Sequence, residues 1–257
     1  MIPKSGHGFP AFAKPASADE GRSEKIMRRQ NSSLYTAIPA VFGCFEANIR
    51  PGDAMKLYDS KTAPNPRRAR IFLAEKGIVL PTEQVDIMTF QHKTPEYTAI
   101  NPLQRMPALV LDDGTIITES MAICRYFEAL QPEPPLFGVG AKEIALVEMW
   151  NRRCEINFFA NVAAVFRHLH PAMKELEVPQ IPAFAEANKP RVAWFLELLE
   201  GELGKREFIA GDRYSVADIT AMVAIDFMKP ARLVMPEGAT NVKRWHAAVS
   251  ARPSSKA

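Results

Sequence analysis

Hydrophobic and polar positions follow two different rhythms along this chain. From Met55 to about residue 130, short apolar runs alternate with turn residues and amphipathic stretches. KLYD (56–59) alternates with period two and predicts a strand. PRRARIFLAEKG (66–77) predicts a helix, capped by Asn65, opened by Pro66 and closed at Gly77. LPTEQVDIM predicts a second strand and KTPEYTAIN a brief helix. ALVLDD (108–113) and TIIT (115–118) predict two strands joined at Asp113-Gly114, a hairpin turn pair. ESMAICRYFEAL (119–130) predicts a third helix.

The order β-α-β-α-β-β-α predicts a mixed four-stranded sheet with helices packed on it, the topology of thioredoxin. QPEPPLFGVG (131–140) holds three prolines and two glycines in ten residues and predicts a stiff linker. Beyond it the strand rhythm stops. AKEIALVEMWNRRCEINFFANVAAVFRHL predicts one long helix, and three more follow in IPAFAEANKPRVAWFLELLEGEL, VADITAMVAIDFM and NVKRWHAAVSA. The fold class expected is therefore α/β plus all-α. A thioredoxin-like domain spans 55–130, a linker 131–140 and a helical bundle 141–257. Ser215 and Asp218 form a capping box for the helix that follows, with Tyr214 and Ile219 as its hydrophobic staple.

Residues 1–54 show neither rhythm and predict a disordered extension, or a non-native one with Met55 as the working start. The late, broken apolar run AIPAVFGCF makes a poor secretory signal, and the acids Asp19, Glu20, Glu24 and Glu46 oppose a transit peptide. Composition narrows the classes without naming one. At 257 residues, 47% hydrophobic and 24% charged, the chain is an ordinary globular one. A net charge of +3, with no basic run interleaved with aromatics, gives no sign of nucleic-acid binding. No apolar stretch is long enough to predict a membrane span. Cys44, Cys124 and Cys154 suit neither a disulfide framework nor a zinc site, and the histidines show no metal-ligand spacing. A reducing, cytoplasmic setting is expected.

Three motifs taken together are distinctive: KLYDSKTAPNPRRARIFLAEKG (56–77), NPLQRMPALVLDDGTIITES (101–120) and FIAGDRYSVADIT (208–220). On these the chain resembles the glutathione transferase family over residues 55–257. With HKTPEY (92–97) and NRRCEINFF (151–159) it looks most like a fungal and bacterial subgroup that lacks the usual catalytic residue. The resemblance implies glutathione as co-substrate, an electrophilic small molecule as acceptor, detoxification as the role, and a homodimer. It implies a cis bond at Met106-Pro107, with Met106 pairing to the glutathione backbone next to Arg105. It places the γ-glutamyl group on Glu119 and Ser120, at a helix start that favours anions. His92 or Lys93, with Arg105 as a further candidate, would meet the glycyl carboxylate.

Where relatives carry a catalytic Tyr, Ser or Cys, this chain reads Ala63-Pro64-Asn65-Pro66. Asn65 with the helix dipole is the candidate activator of the thiol, and Ser60 the alternative; Thr62 and Tyr58 are further hydroxyls nearby. Phe158, Val162, Phe166 and His168, with Phe159, are candidates for the acceptor pocket, although their helical spacing also suits a core. In the resembling subgroup a Ser and a His on this helix hold a water. Ala163 stands in place of the Ser, and Arg167 or His168 lies near the His. Cys124, Cys154 and the tryptophans Trp150, Trp194 and Trp245 are expected to be packing residues. Two rivals share the scaffold: a glutathione-dependent disulfide or peroxide reductase, and a non-catalytic ligand-binding protein.

Overall fold

The computed structural model describes residues 55–257. The expectation for 1–54 lies outside the described residues. Strand β1 (Lys56–Asp59) alternates half-buried and buried positions, as its rhythm predicts. It pairs in parallel with β2 (Thr82–Gln84) and antiparallel with β3 (Ala108–Val110), which pairs antiparallel with β4 (Ile116–Thr118). The sheet order is β2-β1-β3-β4, the thioredoxin-like arrangement. The β3–β4 hairpin turns where Asp113 Oδ1 accepts from the Thr115 N–H at 2.8 Å and Gly114 takes a φ of +82°.

Helix α1 (Pro64–Glu75) starts earlier than its cap signal predicts: the N-cap is Ala63, extended at φ −86°, and Asn65 lies inside the first turn. A proline pushes the residue before it toward the extended region, which both Ala63 and Asn65 satisfy by sequence. A contact within the same turn of helix decides between them. The Asn65 side chain is drawn to Arg68, whose Nη2 donates to its Oδ1 at 3.0 Å, and caps nothing. Helix α2 (Pro95–Ile100) and α3 (Ser120–Leu130) complete the thioredoxin-like part.

The linker is held by a lysine. Lys76 Nζ, fully buried, donates to the carbonyls of Gln131, Pro132 and Pro134 at 2.8, 3.1 and 2.5 Å and pairs with Glu128 at 2.6 Å. After it, α4 (Gly140–Arg152) runs into a wide π-helical stretch, Arg153–Phe159, and on into α5 (Ala160–Leu169). The long helix expected there is thus continuous but interrupted in pitch. Helices α6 (Pro182–Leu203), α7 (Val216–Met228) and α8 (Thr240–Ser250) close the bundle.

The capping box is formed at α7. Asp218, fully buried, accepts from the backbone N–H groups of Ser215 and Ile209, from Ser215 Oγ and from Trp245 Nε1. Burial still pushes its carboxyl pKa above the usual range, against the lowering by those bonds. One apolar core runs through both parts of the fold, from Leu57 and Phe72 to Phe158 and Trp245, and a smaller cluster around Tyr97 and Val110 covers the other sheet face. Trp150 and Trp245 are core residues, but Trp194 is 58% exposed and corrects the packing role expected of it.

Candidate active site

A cavity of about 620 Å³ opens between the start of α1, the loop before β3 and the α5 side of the bundle. Its first wall is the turn Thr62–Pro66. Prolines at 64 and 66 carry no N–H, so among the first three residues of α1 only Asn65 offers a backbone donor. Asn65 adds a second. A guanidinium can only donate, so Arg68 requires the Asn65 amide oxygen to face it and leaves the amide Nδ2 free for the cavity.

Arg68 is the hub of the site. It is 3% exposed, and its guanidinium lies 5.1 Å from the Phe159 ring centroid. Nη2 donates to Ser120 Oγ at 2.8 Å as well as to Asn65, and Nη1 donates to Glu155 Oε1 at 2.9 Å. Glu155 sits in the π-helical stretch, where the widened turn brings it to the cavity. Ser120 opens α3 behind Glu119, a non-glycine residue with φ +68° that lines the cavity. Such backbone is uncommon outside glycine and clusters at functional sites.

Opposite them, the loop to β3 is fixed by Tyr97 Oη and Asn101 Nδ2, both donating to the Arg105 carbonyl at 2.7 Å. Arg105 and Met106 line the cavity, and the Met106-Pro107 bond is cis. His92 lines it too, nearly fully buried, with no partner for Nδ1. Burial first, then the charges of Lys93 and Arg105, hold its pKa below the usual imidazole value. An unpaired polar atom so placed fits an anionic or polar ligand. Among the described residues no group of three His, Cys, Asp or Glu side chains is arranged to hold a metal ion, and no helix is long and apolar enough to cross a membrane.

Two family models match the chain: the glutathione S-transferase N-terminal domain over residues 57–135 and the glutathione S-transferase C-terminal domain over 163–253. Glutathione S-transferase 2 of Saccharomyces cerevisiae is 32% identical over 212 residues, covering 80% of this chain and 91% of the relative. The chain belongs to the glutathione S-transferase family. A glutathione S-transferase domain-containing protein from Marinobacter aquaeolei VT8 has a similar solved structure: TM-score 0.75, 38% identity, covering 77% of this chain and 98% of that one. So does Gtt2 from Saccharomyces cerevisiae, with TM-score 0.75, 32% identity and coverage of 78% and 98%.

Within this glutathione S-transferase the structure brings Asn65, His92, Arg105, Met106, Glu119 and Phe166 onto one cavity. Ser120 sits beside it and lines a second cavity of about 470 Å³ on the far side of Glu119. Lys93 is exposed over the Phe90 ring, 4.8 Å from its centroid, and does not line the main cavity. Ser60 is buried and also does not line it; the hydroxyl that does is Thr62.

Three pocket expectations are corrected. Phe158 is fully buried and stacks on Phe195 with ring centroids 5.3 Å apart, and Val162 is likewise in the core. His168 turns away: its Nδ1 accepts from the Ile181 N–H at 3.1 Å. Phe159 and Phe166 line the cavity as expected, joined by Ala163, Arg167 and His170. Phe158, Val162 and Val165 recur at ordinary helical spacing on the buried face, and Phe159, Ala163, Phe166 and His170 recur at the same spacing on the cavity face, so only the packing of the bundle tells the two stripes apart. Cys124 and Cys154 are fully buried. Burial pushes the Cys124 thiol up to about 12 and the Cys154 thiol upward as well, so neither is a ready nucleophile. Arg68 escaped sequence reading. Its only signal is a basic residue on the apolar side of a helix, which is indistinguishable from a snorkelling surface arginine until its partners converge.

Proposed function

We propose that this protein conjugates the thiolate of glutathione to electrophilic small molecules. The supporting observation is the chain Asn65–Arg68–Ser120, which joins the helix start on one wall of the cavity to the Glu119-Ser120 turn on another. Ser120 Oγ and the α3 N-terminus receive the γ-glutamyl carboxylate, and Glu119 receives its ammonium. Met106 pairs with the cysteinyl backbone beside Pro107. The glycyl carboxylate lies toward His92, Lys93 and Arg105. This seats the sulfur near Asn65, whose two N–H groups and helix dipole stabilise the thiolate. Phe159, Phe166, Met173, Leu176 and Phe227 then form the apolar wall that takes the acceptor.

The domain limits follow the sequence reading, 55–130 and 141–257 joined by 131–140. A cytoplasmic homodimer acting in detoxification completes the proposal; light scattering at micromolar concentration should return twice the chain mass, and a monomer mass would remove the dimer. Titration calorimetry with glutathione tests the site itself. Glu119→Ala should weaken binding about tenfold, a loss of roughly 1.4 kcal/mol. Binding unchanged within about twofold would take Glu119 out of the site, since a charge-assisted bond contributes roughly 1.5–3 kcal/mol.

A further inference from the structure

The acceptor wall is almost without polar groups. No Ser, Thr or Tyr of the helical part lines the cavity among the described residues, and Glu155 is taken up by Arg68 and Arg152. Two donors remain, Arg167 and His170. Arg167 is tied by Nη1 to Glu177 at 2.9 Å. His170 is oriented but not used up.

Its ring stacks on Phe166, with centroids 4.7 Å apart and planes 27° from parallel. Its backbone is followed by Pro171, and its carbonyl accepts from Gln180 Nε2 at 3.0 Å. Its Nδ1 faces the Ala172 N–H at 3.2 Å. A backbone amide can only donate, so Nδ1 is the acceptor there and the neutral ring carries its proton on Nε2. Nε2 has no protein partner among the described residues. The result is an N–H donor held in place on the cavity wall beside Arg167.

We propose that His170 donates this hydrogen bond to the oxygen of the acceptor, so that the site favours conjugated carbonyl electrophiles over alkyl halides. The inference rests on the transferase reading and names the substrate class of that site. In the addition to an α,β-unsaturated ketone, the glutathione sulfur forms a bond to the β-carbon. The π pair of the C=C bond moves toward the carbonyl, and negative charge gathers on its oxygen as an enolate. The Nε2–H meets that charge as it develops, and the enolate then takes a proton at the α-carbon from water. In displacement of a benzyl halide, the charge leaves with the halide, and a donor placed for a carbonyl oxygen contributes nothing. A fixed donor at the developing oxyanion is worth most in a site that excludes water.

The test compares kcat/KM at saturating glutathione for a phenyl-substituted α,β-unsaturated ketone and for benzyl chloride, which share an aromatic body. His170→Phe keeps an aromatic ring against Phe166 and removes the donor; His170→Gln returns an N–H. His170→Phe should lower the ketone rate about tenfold, below the largest oxyanion-donor effects because this wall is only half-buried. Its benzyl chloride rate should stay within about twofold of wild type, His170→Gln should fall between the other two on the ketone, and the bound-thiolate absorbance should be the same in all three. Equal losses on both acceptors, or no loss on the ketone, would overturn the His170 assignment and leave the transferase reading standing. A wild-type protein that binds glutathione but turns over neither electrophile would overturn both.

Discussion

If Asn65 activates the thiol as proposed, Asn65→Ala separates thiol activation from glutathione binding. The side chain stands in the first turn of α1 with its Oδ1 held by Arg68 at 3.0 Å, which leaves its Nδ2–H groups to the cavity. A free thiol titrates near ~8.5. Bringing it to ~6.5 requires roughly 2.7 kcal/mol of preferential thiolate stabilisation, at about 1.36 kcal/mol per unit. A partly buried helix terminus supplies up to about 2 kcal/mol. Here Pro64 and Pro66 remove two of the first three N–H groups, so the α1 terminus falls short of that ceiling. A hydrogen bond to a charged group adds about 1.5–3 kcal/mol. The Asn65 side chain is therefore the larger share, and its loss should raise the bound thiol pKa by about one unit or more. The direction follows from the charge: the donor stabilises the thiolate, so removing it moves the pKa up, costs rate at neutral pH and restores it as pH rises. Ultraviolet titration of the enzyme-bound thiolate reads this directly. If Asn65→Ala left the titration in place while Thr62→Val abolished the thiolate signal, the hydroxyl would be the activator and the helix-start reasoning would fail.

Two further outcomes follow from buried charges. Arg68→Met removes the ion pair to Glu155 and the bonds that orient Asn65 and Ser120. Because Arg152 still pairs with Glu155 at 2.8 Å, the destabilisation in urea should lie near the lower end of about 3–5 kcal/mol, with glutathione affinity down about tenfold; an unchanged affinity would show that Arg68 does not order the site. Lys76→Met removes the cation beside Glu128 and the donor to three linker carbonyls, and chemical denaturation should register about 3–5 kcal/mol; a loss under about 1 kcal/mol would mean that the 131–140 segment is held by its other hydrogen bonds, such as Phe137 N–H to Glu128 and Val216 N–H to the Leu136 carbonyl, and by packing.

Local chemistry wrote much of this fold into the chain. The Asp113-Gly114 turn, the Ser215–Asp218 capping box and the apolar period of 216–228 each act within a few residues, and each is formed where the pattern puts it. Asn65, Met106 and Glu119, expected as a set through the family resemblance, line one cavity, with Ser120 beside it. What sequence could not decide depends on groups far apart along the chain. Asn65 leaves its capping role because Arg68 claims its oxygen, and Arg68 is buried because Ser120 and Glu155 arrive from other elements to satisfy it. The acceptor wall is legible only in part for a related reason. The segment 158–170 carries two neighbouring stripes of the same helical period, and period alone does not say which one faces the bundle. Packing puts Phe158 and Val162 in the core and leaves Phe159 and Phe166 on the cavity. His170 rather than His168 reaches the site because Ile181, thirteen residues beyond His168, donates its backbone N–H to the His168 ring. Only the folded chain sets that pairing.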